Sequence, residues 1–460
     1  MSMSTGAVRN ASRFGQRSLL NSAEVESYQH IEGSGIRRTR ALNRSTNQPI
    51  DRILTAIMLT LGLGALSHLS ETGLLDGTVS DSPMTQGLWA LLITAALLRL
   101  PRGSHSLREW LTSIGWPLVA FAALSVVSFI WSINPALTLR RSIALSGTLV
   151  MGTYIATRLS PQVLGRIAVL STTLTSALSL LAVGANLSWA RGADGSSIGL
   201  LTHRNSLGAV AATGLLMSAI GAFDVTRFYL WVSRVILVAT LVISDSRTSM
   251  LAATLSISSI FVLRILKNSR PLGTAALLIC TAIALTGLKL IGGANGIFES
   301  VGRSADLTGR GRLWPLISKL AMDRPYSGYG YGVVWGKDSP ATQMIQPVFP
   351  SIRSAHNILL EARLEIGYAG AILIVLTLAL ALGRGAKLTL RSDSRRFSSG
   401  GELTFGLAVF LSVRGIAESG FPSLNSLATI LLVACLCQSF WLQKECLGPA
   451  EGRRLRAEIV

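Results

Sequence analysis

Apolar stretches of about 17–25 residues recur along the whole chain, each long enough to cross the ~30 Å hydrocarbon core of a bilayer as a helix. They fall near 53–70, 84–100, 111–131, 142–158, 167–185, 206–223, 228–244, 249–267, 272–291, 367–383, 402–418 and 425–442, twelve in all. Only 14% of the residues are charged and the mean hydropathy is +0.49, values a soluble domain of this length rarely combines. An open backbone in lipid would leave its polar groups unpaired, so each span is expected to be helical. The expected fold class is therefore all-α: a polytopic membrane protein of about twelve transmembrane helices.

The net charge of +19 suggests nucleic acid at first, but its distribution argues against that partner. Basic residues crowd alternate loops. Arg37, Arg38, Arg40 and Arg44 precede the first span; Arg99, Arg102 and Arg108 follow the second. Arg158 and Arg166, then Arg227, then Arg264, Lys267 and Arg270 continue the alternation. So do Arg384, Lys387, Arg391, Arg395 and Arg396, and finally Lys444, Arg453, Arg454 and Arg456. The intervening loops 71–86 and 419–424 hold no Lys or Arg. This is the positive-inside pattern, and it predicts that both termini are cytoplasmic. Membrane lipids, anionic ones included, are the partner that such charge implies.

The organisation expected from this is a basic, disordered cytoplasmic tail over 1–50, spans 1–9 over 51–291, a large outward loop over 292–366, spans 10–12 over 367–443, and a cytoplasmic tail over 444–460. No cleavable signal peptide is visible at the start. The four cysteines, Cys280, Cys435, Cys437 and Cys446, lie in or beside spans. Cys435 and Cys437 would point to different faces of one helix, so neither a metal nor a disulfide is expected.

With the N-terminus inside, the odd-numbered loops face outward. The loop after span 3 brings Arg140 and Arg141 to that side, where they either snorkel to headgroups or meet an anionic ligand. The loop after span 5 holds His203, Arg204 and Asn205. The short turn after span 7, Ser244 to Ser249, places Arg247 between two apolar helices, either paired with Asp245 or holding a ligand. The large loop contains helices of its own. Leu313, Leu316, Ile317 and Leu320 recur at helical spacing from Arg312 and stop near Asp323-Arg324-Pro325. A tight glycine-tyrosine turn follows over 326–332, and a second helix is expected from Ser354 as N-cap toward span 10. These apolar faces are expected to lie against the bilayer or to cap the bundle.

Of the five histidines, only His203 and His356 face outward in polar company. With Ser354 as cap, His356 falls in the first helical turn, where the helix dipole would keep the imidazole neutral and able to act as a base. Arg310, flanked by Gly309 and Gly311 before a helix start, forms an anion site; Arg247, Arg310, Arg204 and Arg312 could converge on one phosphate-bearing ligand. There is no Walker-type loop for ATP, no Cys/His metal spacing, and no acidic pair on the outer loops suited to a metal-bound nucleotide sugar. No cofactor and no metal are expected. A donor used on the outer face must be delivered across the membrane, and lipid-linked diphosphates meet that need. Arginines can stabilise such a leaving group without metal.

Four stretches together resemble the O-antigen ligase and O-antigen/exopolysaccharide polymerase superfamily. They are His203-Arg204-Asn205-Ser206-Leu207-Gly208, Ser246-Arg247-Thr248-Ser249, Thr308-Gly309-Arg310 with Trp314, and His356-Asn357 followed by Glu365-Ile366-Gly367. Asp323-Arg324-Pro325 with Gly328 and Gly330 adds to the match, which covers about 200–383. The resemblance implies a glycosyltransferase of the bacterial inner membrane that uses undecaprenyl-diphosphate-linked saccharide at the periplasmic face. It implies His356 as general base on an acceptor hydroxyl, and Arg247 and Arg310 as holders of the diphosphate. Where this chain has His203-Arg204 the family usually has a plainer residue, so these two are secondary candidates; Arg312, Arg140 and Arg141 are secondary candidates as well. The acceptor would be a growing saccharide or lipid A–core, with a flippase and a chain-length regulator as possible neighbours in the assembly. Polymerisation of exopolysaccharide or O-antigen is favoured slightly over ligation. The rival classes are a transporter or flippase for a lipid-linked saccharide, and a non-catalytic assembly subunit. A transporter would show paired, Gly/Pro-broken spans in matching halves, and no such pairing is visible.

Overall fold

The computed structural model describes residues 49–64, 83–101, 106–192, 194–221, 225–269, 271–272, 310–336, 339–349 and 352–446. The basic N-terminal tail, nearly all of the ninth span, the loop residues up to Gly309 and the C-terminal tail lie outside them, as does the side chain of Arg310. The chain falls into two units, Met1–Asp51 and Arg52–Val460, and the contacts below belong to the second.

The described residues form α-helices and no β-strand beyond a single bridge between Arg191 and Ser197. In chain order the helices are α1 (Pro49–Gly62), α2 (Pro83–Arg99), α3 (Leu107–Ile114), α4 (Trp116–Val127), α5 (Pro135–Arg158), α6 (Pro161–Gly184) and α7 (Arg204–Ile220). Then follow α8 (Arg227–Ile243), α9 (Arg247–Asn268), α10 (Arg310–Asp323), α11 (Pro340–Ile345), α12 (Ile358–Arg391), α13 (Arg395–Gly415) and α14 (Leu427–Cys446). Four of these, α6, α9, α12 and α14, are long and apolar enough to cross a membrane, or five if the bent pair α3 and α4 counts as one. The bend is a departure from the expected third span. Gly115 sits at φ +102°, and the two helices meet at 98°. Helices α1, α2, α7 and α8 overlap expected spans but run only 14, 17, 17 and 17 residues. In α5 and α13 the arginines at the ends interrupt the apolar run.

Several helices bury hydroxyls within the apolar core and expose large apolar side chains. On α8, Phe228, Trp231, Val235, Val238 and Val242 recur every three or four residues and are exposed, while Ser233, Leu237 and Thr240 are buried. An apolar stripe of this kind is what lipid, not water, accommodates. Inward hydroxyls turn back on their own helices, as in Ser125 to Phe121 O, Thr153 to Leu149 O and Thr172 to Ala168 O. Each satisfies its donor without a partner helix.

One set of basic residues gathers among the loops at one end. Arg158 donates to the Arg99 carbonyl, Arg384 to the carbonyls of Thr112 and Ser113, and Lys267 to that of Ser392. Arg264 and Arg395 share the fully buried Glu402, and Lys444 pairs with Glu109. The loops at the other end bond to one another, Trp131 Nε1 to Ser327 O and Ile133 N to Tyr329 O, and Asn425 N of the loop before α14 donates to Thr148 Oγ1 within α5.

Helix α10 forms where its apolar spacing predicts it and ends at Asp323. Its face packs on a small core of its own and not on the bilayer. Leu313, Ile317 and Leu320 meet Tyr329, Val334, Ile345 and Leu364 there. The glycine-tyrosine run then crosses α12 at a break. Gly367 has φ +74° and ψ −164°, a region open essentially only to glycine. The break releases the Leu364 and Glu365 carbonyls, which accept from Tyr329 N and Gly330 N at 2.8 and 2.9 Å, while Tyr368 N donates to Pro325 O. A Cβ at Gly367 would lie 2.3 Å from the Tyr326 carbonyl oxygen. Gly367→Ala is therefore expected to destabilise the protein by on the order of 1–3 kcal/mol, read as a lower melting temperature in lipid nanodiscs. An unchanged melting temperature would mean that the break carries no constraint.

Candidate active site

The loop joining α13 to α14 carries Glu418, whose side chain is only 7% exposed. Its carboxylate accepts from Asn205 Nδ2 at 2.5 Å through one oxygen and faces His356 Nδ1 at 3.3 Å through the other. A carboxylate only accepts, so this contact fixes the proton of a neutral His356 on Nδ1 and leaves Nε2 as the basic nitrogen.

His356 is held from both sides. Asn357 caps α12, its Oδ1 accepting from Leu359 N and Leu360 N, and its Nδ2 donates to Ile416 O. On the other side Ala355 N donates to Glu361 Oε2 at 2.5 Å, and the Ala355 carbonyl accepts from Trp314 Nε1. The N-cap is thus Asn357 and not Ser354, and His356 precedes the helix with φ +48°. What orients its ring is Glu418, not the first-turn dipole.

Asn205 is the second residue of α7, and His203 caps that helix, its Nδ1 accepting from Asn205 N at 3.1 Å. Burial, chiefly, holds the His203 pKa below the ordinary value; Glu418 opposes this, and His356 and Arg204 reinforce it. A neutral His203 with an accepting Nδ1 matches its capping role. A Cβ at Gly208, one turn on, would lie 2.3 Å from the Ser246 Cβ. That absent side chain lets α7 close on the turn before α9. There Asp245 meets Arg204 at 3.5 Å and Arg247 at 3.9 Å. Two guanidinium groups thus share one half-exposed carboxylate, each at the first residue of a helix. The local balance is positive, which suits an anion.

The fold therefore joins His356 to His203 and Arg204, and links Arg247 to them through Asp245. Arg141 is half-buried and donates to the Gly332 carbonyl. Arg140 and Arg312 are exposed on α5 and α10. Sequence reasoning missed Glu418, and it did not single out Glu361. Glu361 and Glu365, one turn apart on α12, line a common cavity with Ser419. Their four-residue spacing was the available signal.

These features define a class: an integral membrane protein of apolar helices, with a histidine–carboxylate pair and arginines collected among the loops at one end. Residues 232–375 match the family model described as O-antigen ligase. The chain is 25% identical over 345 residues to the exopolysaccharide production protein ExoQ of Rhizobium meliloti (strain 1021), covering 72% of this chain and 77% of that protein. Both matches point to similarity with the O-antigen ligase/polymerase superfamily. The segment matched by the family model holds Arg247, Arg310, His356, Glu361 and Glu365, and it excludes His203, Arg204 and Glu418.

Proposed function

We propose that this protein transfers saccharide from a polyprenyl-diphosphate carrier, undecaprenyl diphosphate in the first instance, to a hydroxyl of an acceptor saccharide. The observation that carries this reading is the Glu418–His356 pair beside the Arg204–Asp245–Arg247 chain. His356 Nε2 takes the proton of the acceptor hydroxyl. That oxygen attacks the anomeric carbon, and the bond from this carbon to the diphosphate oxygen breaks with inversion. Polyprenyl diphosphate departs with the bonding pair, its growing charge met by Arg247 and Arg204, with Arg310 from the start of α10 as a third cation. No metal is needed in this scheme.

The alternation of basic and charge-poor loops supports twelve spans in the inner membrane, both termini cytoplasmic, and the site on the periplasmic side. The domain organisation is the one set out above, with 292–366 as the periplasmic loop. Polymerisation of an exopolysaccharide is the favoured reaction because the curated relative is an exopolysaccharide production protein. Ligation to lipid A–core is the alternative within the family. The product profile of a deletion strain separates the two: single lipid-linked repeats indicate a lost polymerase, and long chains left on the carrier indicate a lost ligase.

Hydrogen bonds to charged groups are worth about 1.5–3 kcal/mol, so Arg247→Ala is expected to lower kcat/KM for the lipid-linked donor by about 10–150-fold. Arg247→Lys should recover part of the loss through its charge. Steady-state kinetics with purified protein in nanodiscs checks this, and unchanged donor kinetics would remove Arg247 from the site.

A further inference from the structure

Between α12 and the loop joining α13 to α14 lies a cavity of about 360 Å³. Small-ligand pockets begin near ~300 Å³ and combine apolar walls with a few placed polar groups. Tyr331 and Phe421 supply aromatic wall here, and Glu361, Glu365, Arg141 and Ser419 supply the polar groups. The two carboxylates differ in how they are engaged. Glu361 already accepts from Trp335 Nε1 at 2.6 Å, Ala355 N at 2.5 Å and Ser419 Oγ at 3.1 Å. Glu365 accepts from Gly332 N at 3.0 Å, which leaves most of its acceptor capacity to an occupant of the cavity. Arg141 is turned to the Gly332 carbonyl. The polar lining therefore presents mainly acceptors beside aromatic wall.

An occupant that fits must bring several hydroxyl donors and apolar C–H surface on one small ring. The cavity also borders the His356–Glu418 pair. Ser354 and Ser419 line it, and these stand two residues from His356 and next to Glu418. The arginines instead extend from the side of Glu418 bonded to Asn205. We infer that this cavity is the acceptor subsite and holds one neutral pyranose residue, with Glu365 and Glu361 accepting its hydroxyls and its reactive oxygen turned toward His356. A uronic acid is disfavoured there, because it would bring a third acidic group against Glu361 and Glu365. The assignment to the acceptor rests on the proposed transfer reaction.

The test uses the full chain in lipid nanodiscs free of glycoside detergent. Saturation-transfer NMR compares methyl β-D-glucopyranoside with methyl β-D-glucuronopyranoside. The neutral glycoside is expected to bind saturably and the glucuronide at least about tenfold more weakly. Glu365→Gln keeps an acceptor for Gly332 N and so keeps the fold, and it is expected to weaken the neutral probe about tenfold. Ala362→Met fills the cavity and should abolish binding, with melting temperatures reporting folding for both. With lipid-linked donor saturating, Glu365→Gln should raise the KM for acceptor. No saturable binding, a preference for the glucuronide, binding untouched by both variants, or a rise confined to the donor KM would each overturn the assignment. His356→Ala in the same NMR experiment should still bind the neutral probe. If that variant binds the probe and also transfers normally, the base assignment falls while the sugar site stands.

Discussion

His356→Ala is expected to lower glycosyl transfer by on the order of 10²–10⁴-fold, the usual contribution of a positioned general base. The loss should fall on kcat, with donor binding retained, because Arg204 and Arg247 extend from the other side of Glu418. Folding should survive, since Asn357 and not His356 caps α12. The variant is measured with purified protein, lipid-linked donor and soluble acceptor, with donor affinity determined separately. Near-normal transfer with intact donor binding would exclude His356 as the base.

The second large effect is expected from Glu418→Gln. One oxygen of the amide can still accept from Asn205 Nδ2, so the contact with α7 is kept. The amide nitrogen then faces His356 Nδ1 as a donor, which moves the imidazole proton to Nε2 and blocks the base. A loss of about 10²–10⁴-fold follows from the wrong tautomer alone. Glu418→Asp, which still only accepts, should retain more activity than the glutamine variant. The comparison isolates tautomer control from packing, because the isosteric change is the more damaging one. Equal activity of the wild type and Glu418→Gln would show that the 3.3 Å contact has no role in the reaction.

What was legible in the sequence is the part decided by local pattern. Leu313, Ile317 and Leu320 announced α10 by their spacing, and the glycine-tyrosine run announced the turn that crosses α12. Other features turned on longer-range contacts. Ser354 and Asn357 are both good caps by type, and the choice is decided by Ile416, whose carbonyl holds Asn357 in place. The bend at Gly115 lies inside the expected third span, where Gly115-Trp116-Pro117 is a local breaker signal. Glu418 is a single carboxylate in a charge-poor loop, and its partners are 62 and 213 residues away. Glu361 and Glu365 read as the polar side of a helix near the membrane, and only the packed loop after α13 makes them walls of a cavity. Arg247 reads from sequence as either paired to Asp245 or ligand-binding, and the fold places it in contact with Asp245 beside Arg204.

The most direct measurement reconstitutes the purified protein in liposomes with polyprenyl-diphosphate-linked oligosaccharide, and counts new glycosidic bonds and released polyprenyl diphosphate together. The proposal predicts one carrier diphosphate released per bond formed, undiminished by a chelator and lost in His356→Ala. Movement of intact lipid-linked saccharide across the bilayer with no bond formed would contradict it.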